Sequence, residues 1–451
     1  MIDLLKSRQN SSKRLVALID GEHYPGINLA AVEKLKKIFT GSFGGIIFLG
    51  GTEKLISGNL EEFYGHKVIK IRDLEKDFIF ALKSLNPDFV YDLSDEPVVN
   101  YLSRMKIASY CLSCRCTYLG PDFYFEHEYP VYSFTKPSIL IIGTGKRIGK
   151  TAVSSYLAGL LSEKKKVCIL AMGRGGPAKP QLIKGSEISI TPEYLLDISR
   201  KGLHASSDYI EDALFSGVNT VGCRRCGGGF GGKFFLSNIR QGISLCEKTN
   251  PDIILVEGSG ASVPPVTTDH CICMIGVDQS WESIVGYLGI YRILKSDIVF
   301  LTMCEQPLAD NAKIDFLAGQ IRKANPEAGI IKSIFRPKPL HPLNGRRVFV
   351  VLTAKSMAEE NIKRYLEKEY NCTIARISFN LSNREKLYEE LSKFTCYDTL
   401  LTELKAASVD MVTEFAFRHG KEINYMNNIP LIIEGMDLFK DFIKDLGISR
   451  Q

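Results

Sequence analysis

Gly143-Thr144-Gly145-Lys146-Arg147-Ile148-Gly149-Lys150-Thr151 is the stretch that decides the fold of this chain. Before it runs an apolar segment, Ser138-Ile139-Leu140-Ile141-Ile142, and after it Ala152, Val153, Tyr156, Leu157, Leu160 and Leu161 recur at helical spacing. A strand that ends in a glycine loop and opens a helix is a phosphate cradle. The glycines let backbone N–H groups approach the anion, and the helix N-terminus favours its charge. All nine residues, Gly143 to Thr151, are therefore expected to bind a nucleotide. Lys150 is placed to reach the β- and γ-phosphates, Lys146 is a second lysine near them, and the Thr151 hydroxyl is placed to ligate Mg²⁺. The spacing departs from the common pattern, which has glycine where this chain has Thr144; Gly143 lies one residue further back.

Downstream, an apolar strand at residues 253–256 ends in Glu257-Gly258-Ser259-Gly260. An acidic residue at such a strand end, in a chain with this loop, is the expected partner of the metal ion, held directly or through water. A second acidic ligand stays open among Glu187, Asp208 and Glu211. Two more glycine-rich stretches carry cations. Gly173-Arg174-Gly175-Gly176-Pro177-Ala178-Lys179-Pro180 follows a strand at 167–172. Gly222-Cys223-Arg224-Arg225-Cys226, continuing to Lys233 through five glycines, reads as a third loop. So many glycines are costly to order. They suit backbone amides wrapped on an anion, a mobile lid, or a plain surface loop. Arg174, Lys179, Arg224, Arg225 and Lys233 form the candidate anion-binding set, because arginine holds phosphate in a bidentate fork.

Working outward, strands alternate with helices throughout, which predicts parallel sheets. Residues 1–135 read as a small α/β domain with strands at 15–19, 45–49, 68–71 and 89–91 and helices at 28–39 and 73–85. Polar residues at its strand ends, Asp20, Glu22, His23 and Thr52, mark either a ligand site or simply a turn. The aromatic, proline-flanked stretch 129–137 reads as a linker. Residues 136–345 form the nucleotide-binding catalytic domain, with further strands at 271–277, 298–302 and 330–334. Prolines in Arg336-Pro337-Lys338-Pro339-Leu340-His341-Pro342 mark its end. Residues 346–451 are a C-terminal α/β segment with strands at 348–352 and 373–377, a helix at 356–370 and a helix-rich final part.

A length of 451 residues requires more than one core, and 45% hydrophobic with 24% charged residues is globular composition. No run of 18 or more apolar residues suggests a membrane span, and residues 1–13 lack an apolar signal core, so a cytoplasmic location is expected. The net charge of +6 suits phosphate-rich ligands, while no basic-aromatic pattern points to nucleic acid. Twelve cysteines in a reducing compartment are expected as thiols. The alternative is a zinc site built from Cys111, Cys114 and Cys116 with Cys223 and Cys226.

The long cradle with its Glu257 strand end resembles dethiobiotin synthetase and related P-loop proteins. Taken with Gly173-Arg174-Gly175-Gly176-Pro177, Gly222-Cys223-Arg224-Arg225-Cys226-Gly227 and Asp20-Gly21-Glu22-His23-Tyr24-Pro25, the chain resembles the cyclic 2,3-diphosphoglycerate synthetases of methanogenic archaea over most of its length. That resemblance implies an ATP-dependent ligase that closes 2,3-diphosphoglycerate into a ring, releasing ADP and phosphate, with ATP, Mg²⁺ and associated K⁺. It implies Lys150, Lys146, Arg174, Arg224 and Arg225 as catalytic residues. Asp20, His23, Arg174, Lys179, Arg224, Arg225 and Lys233 are the implied substrate-binding set, and Thr151 and Glu257 the metal ligands. A homodimer is expected. Two other readings stand beside it: a dethiobiotin-synthetase-like ligase on another anionic substrate, and a nucleotide-dependent switch or metal chaperone using the cysteine pairs.

Overall fold

The computed structural model describes residues 11–54, 58–127 and 131–446. The signal-core reading of residues 1–10 and the first two residues of the expected linker, 129–130, lie outside these. The described residues form two compact units. One holds the residues up to 127 with 280–295 and 321–326, and the other holds 131–279, 296–320 and 327–446.

The first unit is built on a six-stranded sheet in the order Val68–Lys70, Ser42–Phe48, Arg14–Ile19, Phe89–Asp92, Thr117–Leu119 and Tyr124–Phe125. All its pairings are parallel except the last. Arg14–Ile19 is buried from Leu15 onward because both its faces are covered, which is why it reads as a continuous apolar run. The helices Pro25–Ile38 and Leu74–Leu85 are capped as their sequences dictate. Proline opens the first, and the Asp73 carboxylate accepts from the amides of Glu75 and Lys76 at the start of the second. The helices Trp281–Gly286 and Gly289–Leu294 pack on Tyr101–Ser113 in the same unit.

The second unit is organised by a sheet that has 13 strands among the described residues. Its path runs Gln181–Lys184, Asn219–Cys226, Val167–Gly173, Ile253–Gly258, Ser138–Gly143, His270–Gly276, Ile298–Thr302, Gly329–Pro339, Glu422–Glu434, Thr399–Glu403, Arg347–Val351, Thr373–Ser378. The strand leading into the phosphate cradle is thus central, flanked by parallel neighbours on both sides. Ile139, Ile141, Leu255, Ile272, Met274 and Phe300 fill the core beneath it, with Val153, Leu157 and Leu161 of the helix Lys150–Ser162. The chain's last described helix, Met436–Asp445, returns to this core through Phe439 and Phe442.

Three features of the second unit correct the sequence reading. The Cys-Arg-Arg-Cys stretch is not loop: it closes the strand Asn219–Cys226, with Arg224 opposite Gly173 and Arg225 opposite Ser237. The strand expected at 330–334 runs on through Pro337 to Pro339, the last residue of the 11-residue strand Gly329–Pro339. Leu340 donates its N–H to the carbonyl of Tyr425, so even-numbered residues point their N–H groups at Glu422–Glu434. Both prolines are odd-numbered and lose a donor only on the other edge, past the last pairing of Ile298–Thr302 at Lys332. Finally, the tail expected to be helix-rich contributes two strands, Thr399–Glu403 and the 13-residue Glu422–Glu434, which bring the C-terminal segment into the same sheet.

Candidate active site

The cradle is held in shape by its neighbours. Gly149 has φ 89° and stands where a Cβ would lie 2.0 Å from Cζ of Phe335, so glycine is required on both counts. The Thr144 amide donates to the carbonyl of Met274 at 3.1 Å, and the Thr302 hydroxyl to that of Ile148 at 3.0 Å. The Lys150 ammonium reaches back across the loop to the Gly145 carbonyl at 2.6 Å, which sets it over the mouth of the cradle.

Behind the cradle lies an acidic cluster. The Thr151 hydroxyl donates to Glu257 Oε1 at 2.8 Å, and Ser155 Oγ donates to Asp212 Oδ1 at 3.1 Å. Glu257 Oε2 and Asp212 Oδ2 are buried and find no hydrogen-bond donor among the described residues. Burial, and then the Asp208 charge, push the Glu257 carboxyl up to about 7. Asp212 is driven well above the carboxylate range by burial and then by Glu257. Two facing acceptors with no donor between them call for a proton or a cation. Beside a P-loop threonine, hard oxygen donors fit Mg²⁺, which takes few protein ligands and completes its shell with phosphate and water. Of the open second ligands, Asp208 borders the cavity and Glu211 is tied to Lys405 at 3.1 Å, while Glu187 pairs with Lys184 at the surface.

In front of the cradle the cations gather. A cavity of about 710 Å³ is lined by Lys146, Lys150, Thr151, Arg174, Asp208 and Glu257 among others. Arg174 also borders a second cavity of about 620 Å³ with Arg224 and Arg225, whose lining carries no carboxylate. Adjacent strand residues face opposite ways, and the two arginines do so. Arg225 is buried, with Nη2 donating to the Ser259 carbonyl at 2.6 Å and Nη1 to that of Gly227 at 2.8 Å. Arg224 Nε instead donates to the Pro177 carbonyl at 3.0 Å. The Lys146 ammonium is lowered by burial and then by the charges of Arg174, Arg147 and Arg225, as expected of cations crowded for an anion. Lys179 and Lys233 are exposed and border neither cavity.

All three parts of the chain match family descriptions of one kind. "Cyclic 2,3-diphosphoglycerate synthetase, P-loop domain" matches residues 138–334, its N-terminal domain 14–126 and its C-terminal domain 339–429. The cyclic 2,3-diphosphoglycerate synthetase of Methanothermobacter thermautotrophicus is 41% identical over 450 residues, covering 97% of this chain and 96% of its own. The chain belongs to the cyclic 2,3-diphosphoglycerate synthetase family. The likeness extends beyond methanogens, since the Rubrobacter xylanophilus synthetase is 41% identical over 94% of this chain and 95% of its own. Among solved structures, the hydrogenase maturation factor HypB of Archaeoglobus fulgidus matches at 14% identity and a TM-score of 0.30, over 44% of this chain and 81% of its own. No described helix is long and apolar enough to cross a membrane.

Several cavity residues escaped the sequence reading of this synthetase-family chain. Lys355, Glu403, Lys405 and Asn428 come from the C-terminal segment. Glu403 accepts from the amide and hydroxyl of Thr353, both at 2.7 Å, which fixes one loop at the rim. Lys405 is half-buried and pairs with the buried Glu211, whose carboxyl burial pushes up to about 8. Their only sequence signal is a pair of acidic and basic residues after an apolar strand, too common to single out. The zinc alternative finds no support: Cys116 Sγ donates to the Cys111 carbonyl at 3.2 Å, Cys223 is buried while Cys226 is exposed, and no metal-holding group of three or more His, Cys, Asp or Glu occurs among the described residues.

Asp20 and His23 lie in the first unit, at the point where neighbouring strands Arg14–Ile19 and Phe89–Asp92 send their connections to opposite sides. Ligands favour such a crevice. The Asp20 carboxylate is already engaged, however. Oδ1 accepts from the amides of Glu22 and His23 at 2.9 and 3.0 Å and faces His23 Nδ1 at 2.9 Å, and Oδ2 accepts from the Asp95 amide at 2.6 Å. Asp20 builds this crevice and orients His23. Asp20→Asn puts an amide N–H against a backbone donor, so it is expected to cost about 2 kcal/mol of stability, measured by urea unfolding.

Proposed function

We propose that this protein closes 2,3-diphosphoglycerate into its cyclic phosphoanhydride while ATP is converted to ADP and inorganic phosphate. The observation that supports this most is the placing of Lys146 and Arg174 in the same cavity as Lys150, Thr151 and Glu257, with Arg225 reaching Ser259 at its wall. The chemistry needs such a site. Two phosphate dianions about 5 Å apart repel by roughly 3 kcal/mol in water and roughly 13 kcal/mol at an effective dielectric of 20. Ring closure brings them closer still, and clustered arginine and lysine charges offset that repulsion where the nucleotide delivers its energy.

The reaction is written as two displacements. An oxygen of one substrate phosphate attacks the γ-phosphorus of ATP, and the bond to ADP breaks. An oxygen of the other substrate phosphate then attacks the activated phosphorus, the new anhydride bond breaks, and inorganic phosphate leaves as the ring closes. Lys150 takes up charge on the transferring group, and Arg174 and Arg225 hold the two substrate phosphates together. The attacking oxygens are already ionised, so no side chain has to act as base. Thr151 and Glu257 would hold Mg²⁺, which neutralises phosphate charge when bound. The proposal includes a K⁺ requirement, a homodimer and a cytoplasmic location, checked by salt replacement, light scattering and cell fractionation.

Phosphorus NMR of protein with ATP, Mg²⁺ and 2,3-diphosphoglycerate tests the reaction. A cyclic product growing in step with ADP and phosphate is expected; ADP release driven equally by a non-phosphorylated acid would overturn it. Glu257→Gln removes the charge beside Thr151. The half-saturating Mg²⁺ concentration is expected to rise about tenfold or more when the rate is titrated against the ion.

A further inference from the structure

The larger cavity has a second half that the phosphate chemistry leaves unused. Beyond Lys146, Lys150 and Arg174 its lining includes an apolar patch, Phe335, Ala354, Ala358, Ile362 and Phe379, beside the Glu305–Arg336 ion pair. Phe335 marks the border between the halves, because its ring touches the cradle at Gly149. Ala354, Ile362 and Phe379 rest on a hydrophobic core belonging to the C-terminal segment, with Val350, Leu366 and Leu401 beneath them. Polar contacts fix this patch to the cradle side. Arg147 Nη2 donates to Ser382 Oγ at 2.9 Å, Lys355 pairs with Asp278 at 2.8 Å, and Asn361 Nδ2 donates to the Gln306 carbonyl at 2.7 Å. A partly open cleft that begins at a phosphate cradle and carries an apolar patch has the size and chemistry of a nucleotide site. A diphosphorylated glycerate has almost no apolar surface to bury there, whereas a purine gains from it.

We propose that the C-terminal segment supplies the nucleoside half of the nucleotide site, with the base against Phe335, Ala354, Ile362 and Phe379. This gives the segment a role in binding ATP rather than diphosphoglycerate. It rests on reading the cavity as the ATP site. The test therefore omits diphosphoglycerate, so its failure is distinct from a failure of the cyclisation assay.

The full chain is titrated calorimetrically with Mg²⁺–ATP and, separately, with Mg²⁺–tripolyphosphate, which has the phosphates but no base. Unaltered protein should bind ATP at least tenfold tighter. Ala354→Trp, which fills the apolar end, and Phe379→Ala, which removes part of its wall, should each weaken ATP at least tenfold. Both should change tripolyphosphate binding less than twofold, which also reports an intact cradle. Equal affinity of the unaltered protein for the two ligands would overturn the proposal, as would unchanged ATP binding in both variants or equal loss of both ligands in both.

Discussion

Lys150→Ala is expected to lower ADP release about a hundredfold to a thousandfold, while diphosphoglycerate binding stays within about twofold. The lysine opens the helix Lys150–Ser162, and its ammonium crosses the cradle to the Gly145 carbonyl at 2.6 Å. It is buried, so its charge acts at low effective dielectric on any group the loop holds. Alanine leaves the helix intact and is the best helix former, so folding should not explain the loss. The split between the two readouts carries the test. If the charge serves the transferring γ-phosphoryl group, turnover falls and substrate affinity does not. A parallel fall in both would place diphosphoglycerate on Lys150 itself and reverse the division of labour proposed between the cradle and the arginines. Measuring ADP release by a coupled assay and binding by calorimetry decides it.

The cradle was legible because its signal is local: strand, glycine loop and helix are contiguous, and each rule agrees with the next. Glu257 was legible for the same reason, as a charge at the end of an apolar run. What the residues could not show was where the far end of the chain goes. The strand Glu422–Glu434 carries three asparagines and a proline, residues that argue against a strand on propensity. Its pairing with Gly329–Pro339 overrides that, and brings Glu403, Lys405 and Asn428 to the cavity. The two prolines of Gly329–Pro339 misled in a related way. A proline forbids one hydrogen bond, and whether that matters depends on which edge is occupied, a fact set by a strand some 30 residues earlier in the sheet. The Cys-Arg-Arg-Cys stretch was read by its neighbouring glycines, yet its ladder with Val167–Gly173 fixes it as strand. That difference matters for function, since a strand holds its arginines rigidly where a loop would not.

Arg225→Ala is expected to lower turnover about a thousandfold, the scale seen when a cation facing a transferring phosphoryl group is lost. Of the candidate arginines it is the most buried, and one N–H of each Nη is engaged, by the carbonyls of Gly227 and Ser259. Nε has no partner among the described residues and each Nη keeps a second N–H, so donors remain for an anion. Burial and then the neighbouring Arg174 disfavour its charge, a cost that an incoming phosphate relieves. Arg225→Lys keeps the charge but loses the fork, and should recover only part of the rate. A purely structural arginine would also be missed, because losing two carbonyl contacts destabilises by about 1–3 kcal/mol. The two roles separate on linkage. A ligand at a hundred times its dissociation constant stabilises the fold by about 2.7 kcal/mol. Saturating diphosphoglycerate should therefore raise the melting temperature of the unaltered protein and leave that of Arg225→Ala almost unmoved. If the variant melts lower but still gains the full increment from diphosphoglycerate, Arg225 only braces Ser259 and Gly227, and the substrate phosphates must be held elsewhere.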